Sequence, residues 1–263
     1  IHAKICLIKK VVNKQTIHYG FVSTGNLNES TAKIYGDHCL LTSSRNIMAD
    51  VNRIFYYLEQ PKTRLQYLKA CKTLMTSPIN MRRQLLLLID REIKAAKAGK
   101  EASIILKLNS LSDELLILKL EEAARAGVDI KMVIRGIFRM KAENKKYKGT
   151  VQAISIVDEY LEHARVMIFH NGGNEKTYIS SADWMVRNID HRIEAACHIF
   201  EKNIQQELKD LLMIQLADNI KARILDNDLS NQYINPRNMK KIRSQVETYN
   251  YLFRKLSTTT AGA

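Results

Sequence analysis

The apolar and polar positions divide the chain into two patterns. Residues 2–9 (HAKICLIK) are apolar enough for a strand, and residues 15–23 (QTIHYGFVS) alternate with β-branched and aromatic side chains, which predicts a second. Residues 32–42 predict a third extended stretch. Ile47, Val51, Ile54, Phe55 and Leu58 recur at helical spacing and predict a helix from about Ser44 to Tyr57, ended at Pro61. A helical segment then runs to Met75, with a break at Ser77-Pro78.

From residue 79 helices and strands alternate. The spacing predicts a helix over 79–98 closed by Gly99, and a buried strand over 102–108. A helix over 112–126 follows, opened by Ser112 with Leu115 as its first core contact and stopped by Gly127. VDIKMVIRG is a strand ending at Arg135, and 141–150 is a Lys-rich loop that reads as solvated surface, with a track for a polyanionic chain as the alternative. Strands are expected at 151–157, 162–169 and 176–181, an extended stretch at 189–199, and helices near 202–217 and 238–256, with STTTAGA as a disordered tail. This order predicts an α/β protein with mixed sheets flanked by helices.

Composition narrows the function. The 263 residues suffice for two modest domains, divided here into 1–70 and 71–263. No apolar run approaches the roughly 20 residues of a transmembrane segment, so a cytoplasmic protein is expected, with membrane association left open. Cys6, Cys39, Cys71 and Cys197 lack metal-ligand spacing and read as reduced core thiols. Lys and Arg number 41 against 27 acids, a net charge of +14, which draws polyanions. Aromatics are only 7%, with no evenly spaced stacking platform, so nucleic acid is not the expected partner.

Two stretches echo each other. His2-Ala-Lys4 opens one apolar strand and His163-Ala-Arg165 another. Ser23-Thr24-Gly25-Asn26 corresponds to Ser180-Ser181-Ala182-Asp183, and eleven residues beyond stand Asp37 and Glu194. Residues two apart on a strand share a face, so each half offers an imidazole and a cation together. Hydroxyls at a neighbouring strand end and an acid to orient the imidazole complete a site for a phosphoryl group. His18, His38, His170, His191 and His198 lack this context and read as structural, and Trp184 as packing.

Paired HxK motifs resemble the phospholipase D superfamily, but the Asp that follows its Lys is absent: Lys9 and His170 stand there. A closer resemblance, to the phospholipase D-like bacterial polyphosphate kinase family, runs in order through HAKICLI, STGNLNESTAKIYGDHCLLT, MRRQLLLLIDREI, VIRG, AISIVDEYLEHARVMIF, YISSADWMVRNIDHRIEAACHI and LSNQYI. It implies two similar phospholipase D-like domains, the first truncated at its N-terminus. The chain would then be a C-terminal catalytic fragment, weak or inactive alone.

The resemblance further implies that His2 carries the phosphoryl group of ATP to inorganic polyphosphate, reversibly, with Lys4 neutralising its oxygens and His163 as acid/base partner at the nucleotide. Arg135 matches a phosphate-binding arginine and Tyr35 the tyrosine that meets adenine. Asn26, Ser180, Ser181 and Asp183 are added by position as lining, Asp37 and Glu194 behind them, and Arg187 and Arg192 as guides for an anionic chain. ATP/ADP and Mg2+ are implied, with the Mg2+ ligands upstream and none in this chain, and a homo-oligomer is expected. Two other readings stay open: a phosphodiester hydrolase and a non-catalytic polyanion-binding module.

Overall fold

A computed structural model describes residues 1–235 and 239–260. The chain opens with β1 (Lys4–Val12) and β2 (Gln15–Ser23), then passes through the short helix α1 (Glu29–Ala32) and strand β3 (Tyr35–Gly36). It returns as β4 (Cys39–Thr42), closing a three-stranded antiparallel sheet in the order β1-β2-β4. Helices α2 (Arg45–Glu59) and α3 (Leu65–Lys69) lead to β5 (Leu74–Ser77).

There follow α4 (Met81–Lys97), β6 (Ser103–Leu108), α5 (Glu114–Ala126), β7 (Asp129–Ile134) and β8 (Val151–Ile156). Next come β9 (Leu161–Glu162), β10 (Arg165–Phe169), β11 (Lys176–Ser180) and β12 (Glu194–Ile199). Helix α6 (Lys202–Leu216), β13 (Ala222–Ile224) and α7 (Ser244–Thr260) complete the described chain.

Among the described residues one sheet has eight strands in the order β13-β8-β7-β6-β10-β11-β12-β5. β6, β7 and β8 run parallel, and the remaining neighbours antiparallel. Both faces are covered, so β6 is buried on both sides. Ile104, Leu106 and Leu108 pack with α4 and α5, while Ile105 faces a second core built from α2, α6 and the small sheet. Ile5, Val22, Ile47, Val51 and Ile54 share that second core with Val133, Val166 and Ile168, so the two parts of the chain bury one surface between them.

The structure departs from the sequence expectations at several boundaries. The stretch 32–42 is broken, because the Asn28 side chain caps α1 and the chain must turn before β4. Asp113, not Ser112, caps α5 by accepting from Leu116 N, and Leu116 is its first core residue while Leu115 is exposed. Gly127 does stop α5, in the left-handed region (φ 107°). Residues 187–191 form a π-turn rather than strand. β5 and β13 were not anticipated: strand pairing overrides weak local signals there.

The thiols divide. Cys71 and Cys197 are buried, but Cys39 is exposed because Leu40 takes the inward position on β4. Trp184 lies in the core. Residues 257–260 continue α7 instead of forming a tail, and 236–238 and 261–263 lie outside the described residues, including the expected start of the last helix.

Candidate active site

The two halves make the same bonds with partners exchanged. In the register of β1 and β2, Lys4 lies opposite Ser23, and in β10 and β11 Arg165 lies opposite Ser180. Each histidine sits just before its strand, tethered to the other half. His2 N and Ala3 N donate to Ile193 O, both at 2.9 Å, and His163 N and Ala164 N donate to Gly36 O at 3.2 and 2.9 Å. The acids follow the same exchange. Glu194 accepts from His2 Nδ1 at 2.8 Å, and Asp37 accepts from His163 Nδ1 at 2.9 Å. The carboxylate in each sequence repeat therefore serves the imidazole of the other.

Hydroxyls fix both carboxylates. Thr24 Oγ1 donates to Asp37 Oδ1 at 2.6 Å, and Ser181 Oγ donates to Glu194 Oε2. Ser23 and Ser180 act one residue earlier, accepting from Gly25 N at 3.1 Å and Ala182 N at 3.0 Å to shape the turns. Gly25 is required: a Cβ there would lie 2.2 Å from Asp37 Oδ2. Burial pushes the Asp37 carboxyl up, but the bonds from His163 and Thr24 outweigh it and hold the group below its ordinary value.

Anchoring at Nδ1 leaves the Nε2 lone pair as the reactive position of each ring. For His2, half-buried, Nε2 has no hydrogen-bond partner among the described residues. For His163, buried, Arg165 Nη1 lies 3.1 Å from Nε2 and 3.4 Å from Nδ1, against the ring. Both rings thus meet a carboxylate at Nδ1, and the His163 ring meets a guanidinium besides.

The cations differ too. Arg165 is paired: Asp183 accepts from its Nη2 at 2.9 Å and its Nε at 3.3 Å, while Thr24 O accepts from Nη1. Burial raises the Asp183 carboxyl, yet Arg165 and the amides of Asn109 and Ser110 bring it below the usual range. Lys4, at the equivalent place, has a buried Nζ with no partner. Burial drives its pKa down from 10.5 to about 8, with Arg165 adding to the fall and Glu194, Asp37 and Asp183 opposing it. An unpaired buried ammonium is unfavourable until an anion reaches it.

Around this centre, Tyr35 on β3 packs against His163 with ring centroids 4.9 Å apart. Arg135 follows β7, half-buried, and its Nε donates to Asn109 Oδ1 at 3.2 Å. Asn109 in turn reaches Asp183, so Arg135 joins the network at the C-terminal ends of β6 and β7, a usual place for ligand groups. Asn26 is exposed in the loop after β2, and its counterpart Asp183 alone carries the ion pair. Arg187 and Arg192 are exposed at either end of the π-turn (Arg187–His191).

Some side chains bonded to these groups escaped the sequence reading. Asn188, in the π-turn, donates Nδ2 to Glu194 Oε1 at 2.7 Å. Next to His163, Glu162 is held by Lys107, by Gln215 at 2.8 Å and by Gln245 at 2.9 Å, which fixes β9. Lys107 inside an apolar strand pattern was the available signal, since a buried lysine needs a partner.

Residues 1–64 match the family "Polyphosphate kinase C-terminal domain 1" and residues 74–245 match "Polyphosphate kinase C-terminal domain 2". Polyphosphate kinase of Vibrio cholerae is 44% identical over 252 residues, 96% of this chain and 35% of that protein. The Escherichia coli K12 polyphosphate kinase is 42% identical over 252 residues, 96% of this chain and 36% of its own length. The crystal structure of polyphosphate kinase from Porphyromonas gingivalis superposes with a TM-score of 0.90 at 38% identity, covering 98% of this chain and 39% of that one. The chain thus spans a little over a third of the length of these relatives.

Proposed function

The chain belongs to the polyphosphate kinase family, and from that premise we propose that it forms the phosphotransfer centre of an ATP:polyphosphate phosphotransferase. The observation that carries this reading is the Lys4 ammonium, buried without a partner and within the field of Glu194 and Asp37, the carboxylates that anchor the two imidazoles. In this reading residues 1–70 and 71–263 each supply half of the centre.

His2 is the nucleophile, because its Nε2 is free while the His163 ring is covered by the Arg165 guanidinium. The Nε2 lone pair attacks the terminal phosphorus of ATP; the N–P bond forms as the P–O bond to ADP breaks. Lys4 and Arg165 balance charge on the transferring phosphoryl oxygens. The terminal phosphate oxygen of a polyphosphate chain then attacks phosphorus, and the N–P bond breaks. Both steps reverse. Tyr35 offers a face to adenine beside His163, which acts as proton partner at the nucleotide. Arg135 binds phosphate. Asp37, Glu194 and Asp183 are already committed to His163, His2 and Arg165, so these residues do not form an oxygen cage for Mg2+, and no step here is routed through the metal.

Radiolabelled ATP tests the assignment. The intact protein takes acid-labile, base-stable γ-phosphate label on His2, and His2→Gln abolishes it. Release of phosphate from a diester with no label on any histidine would establish a hydrolase instead. Polyphosphate binding without any turnover, unchanged in His2→Ala, would establish a binding module.

A further inference from the structure

We infer that Asn188 is a positioning residue for His2, acting through Glu194; the inference rests on the phosphotransfer reading only for its kinetic consequence. Asn188 is 2% exposed. Its Nδ2 meets Glu194 Oε1, the same oxygen that receives His2 Nδ1 at 2.8 Å, while Ser181 holds Oε2. The carboxylate therefore has three donors, and its in-plane orientation is fixed before any substrate arrives.

The amide cannot turn round: its carbonyl would then face the carboxylate. Its Oδ1 is buried without a partner, so the site accepts an unsatisfied oxygen to keep Nδ2 on Glu194. The backbone reinforces this choice. Asn188 sits in the π-turn, a form that costs regular pairing and gathers at functional places. Asp190 of the same turn is clamped by Arg82 of α4, Nε to Oδ1 at 3.0 Å and Nη2 to Oδ2 at 2.6 Å. Arg82 also binds Asp113 through two bonds of 2.7 Å, so the turn is tied to the starts of two helices.

The other half has no such part. Asp37 receives His163 and Thr24 among the described residues, and its imidazole lies against the Arg165 guanidinium. Only the ring with the open Nε2 has the extra amide behind its carboxylate. Without Asn188, Glu194 is free to swing about Ser181, and His2 relaxes toward the tautomer mixture of a free side chain, with Nε2 protonated in part and lost as a nucleophile.

The test is 15N NMR of the His2 ring in this chain, with Asn188→Leu and Asn188→Asp. The native ring is expected to hold its proton on Nδ1. In Asn188→Leu a second, Nε2-protonated population appears, and phosphohistidine formation in the intact protein falls on the order of 10-fold or more with little change in KM for ATP. Asn188→Asp keeps the size. A carboxylate there offers Glu194 Oε1 acceptors and no donor, so the Nε2-protonated population is expected in this variant too.

The native tautomer alone in both folded variants overturns the inference. If Asn188→Leu does not fold, Asn188→Asp decides alone. Tautomer loss without any ATP label on native His2 would leave the positioning role standing and remove the phosphotransfer reading.

Discussion

Replacing Lys4 by methionine should stabilise the unliganded protein near neutral pH, although it removes a charge from the site. Burial lowers the ammonium from 10.5 to about 8. At about 1.36 kcal/mol per pH unit that difference is worth roughly 3 kcal/mol as an upper limit, and relaxation of the surroundings about the charge reduces it to about 2 kcal/mol. Below pH 8 the amine is charged in both folded and unfolded chains, so the folded state bears the whole cost. Between 8 and 10.5 the unfolded chain binds more protons, and stability rises with pH until the cost is gone.

Methionine fills similar volume with no charge. For a chain of this size about 2 kcal/mol corresponds to a Tm increase of roughly 4–8 °C, read by thermal unfolding of both proteins across pH. The advantage should be full at about pH 7 and shrink as pH approaches 10.5. A short linear polyphosphate should raise the Tm of the native protein more than that of Lys4→Met, because the anion pairs with the ammonium. A variant that is less stable at neutral pH, or whose advantage does not change with pH, would refute the account of Lys4 as an unpaired buried cation.

Asp183→Ala leaves Arg165 buried without its carboxylate, and a loss of about 3–5 kcal/mol is expected in denaturant titration. Asp37→Asn places an amide against His163 Nδ1, and a turnover loss of roughly 100-fold or more with a lowered Tm is expected from the wrong tautomer and the lost carboxylate bonds. Gly25→Ala drives a methyl into the Asp37 carboxylate and should lower the rate in the same direction, whereas Ala182→Gly in the matching turn should not. Because Asp37 and Asp183 are held below 3.8, their contribution is complete above that pH and is lost as pH falls through their lowered values. Circular dichroism should therefore show acid unfolding below about pH 4, with Asp183→Asn removing part of that dependence.

The repeat itself was written in the chain. His2 and Lys4, His163 and Arg165, and the Ser-rich turns with Asp37 and Glu194 carry types and spacings that local chemistry explains. So do the α/β alternation and the strands β6 and β7, because their apolar runs are long and bounded. The boundaries that failed, such as Ser112 against Asp113 and the break within 32–42, depend on which side chain reaches a backbone amide.

Sequence alone could not say that Glu194 serves His2 and Asp37 serves His163, since each pair joins residues more than a hundred positions apart. Nor could it separate a paired Arg165 from an unpaired Lys4, or find Asn188, whose π-turn interrupts what reads as strand. Residue type and spacing fix what a group is able to do. Which partner it meets, and whether water still reaches it, is decided only when the two halves close on each other.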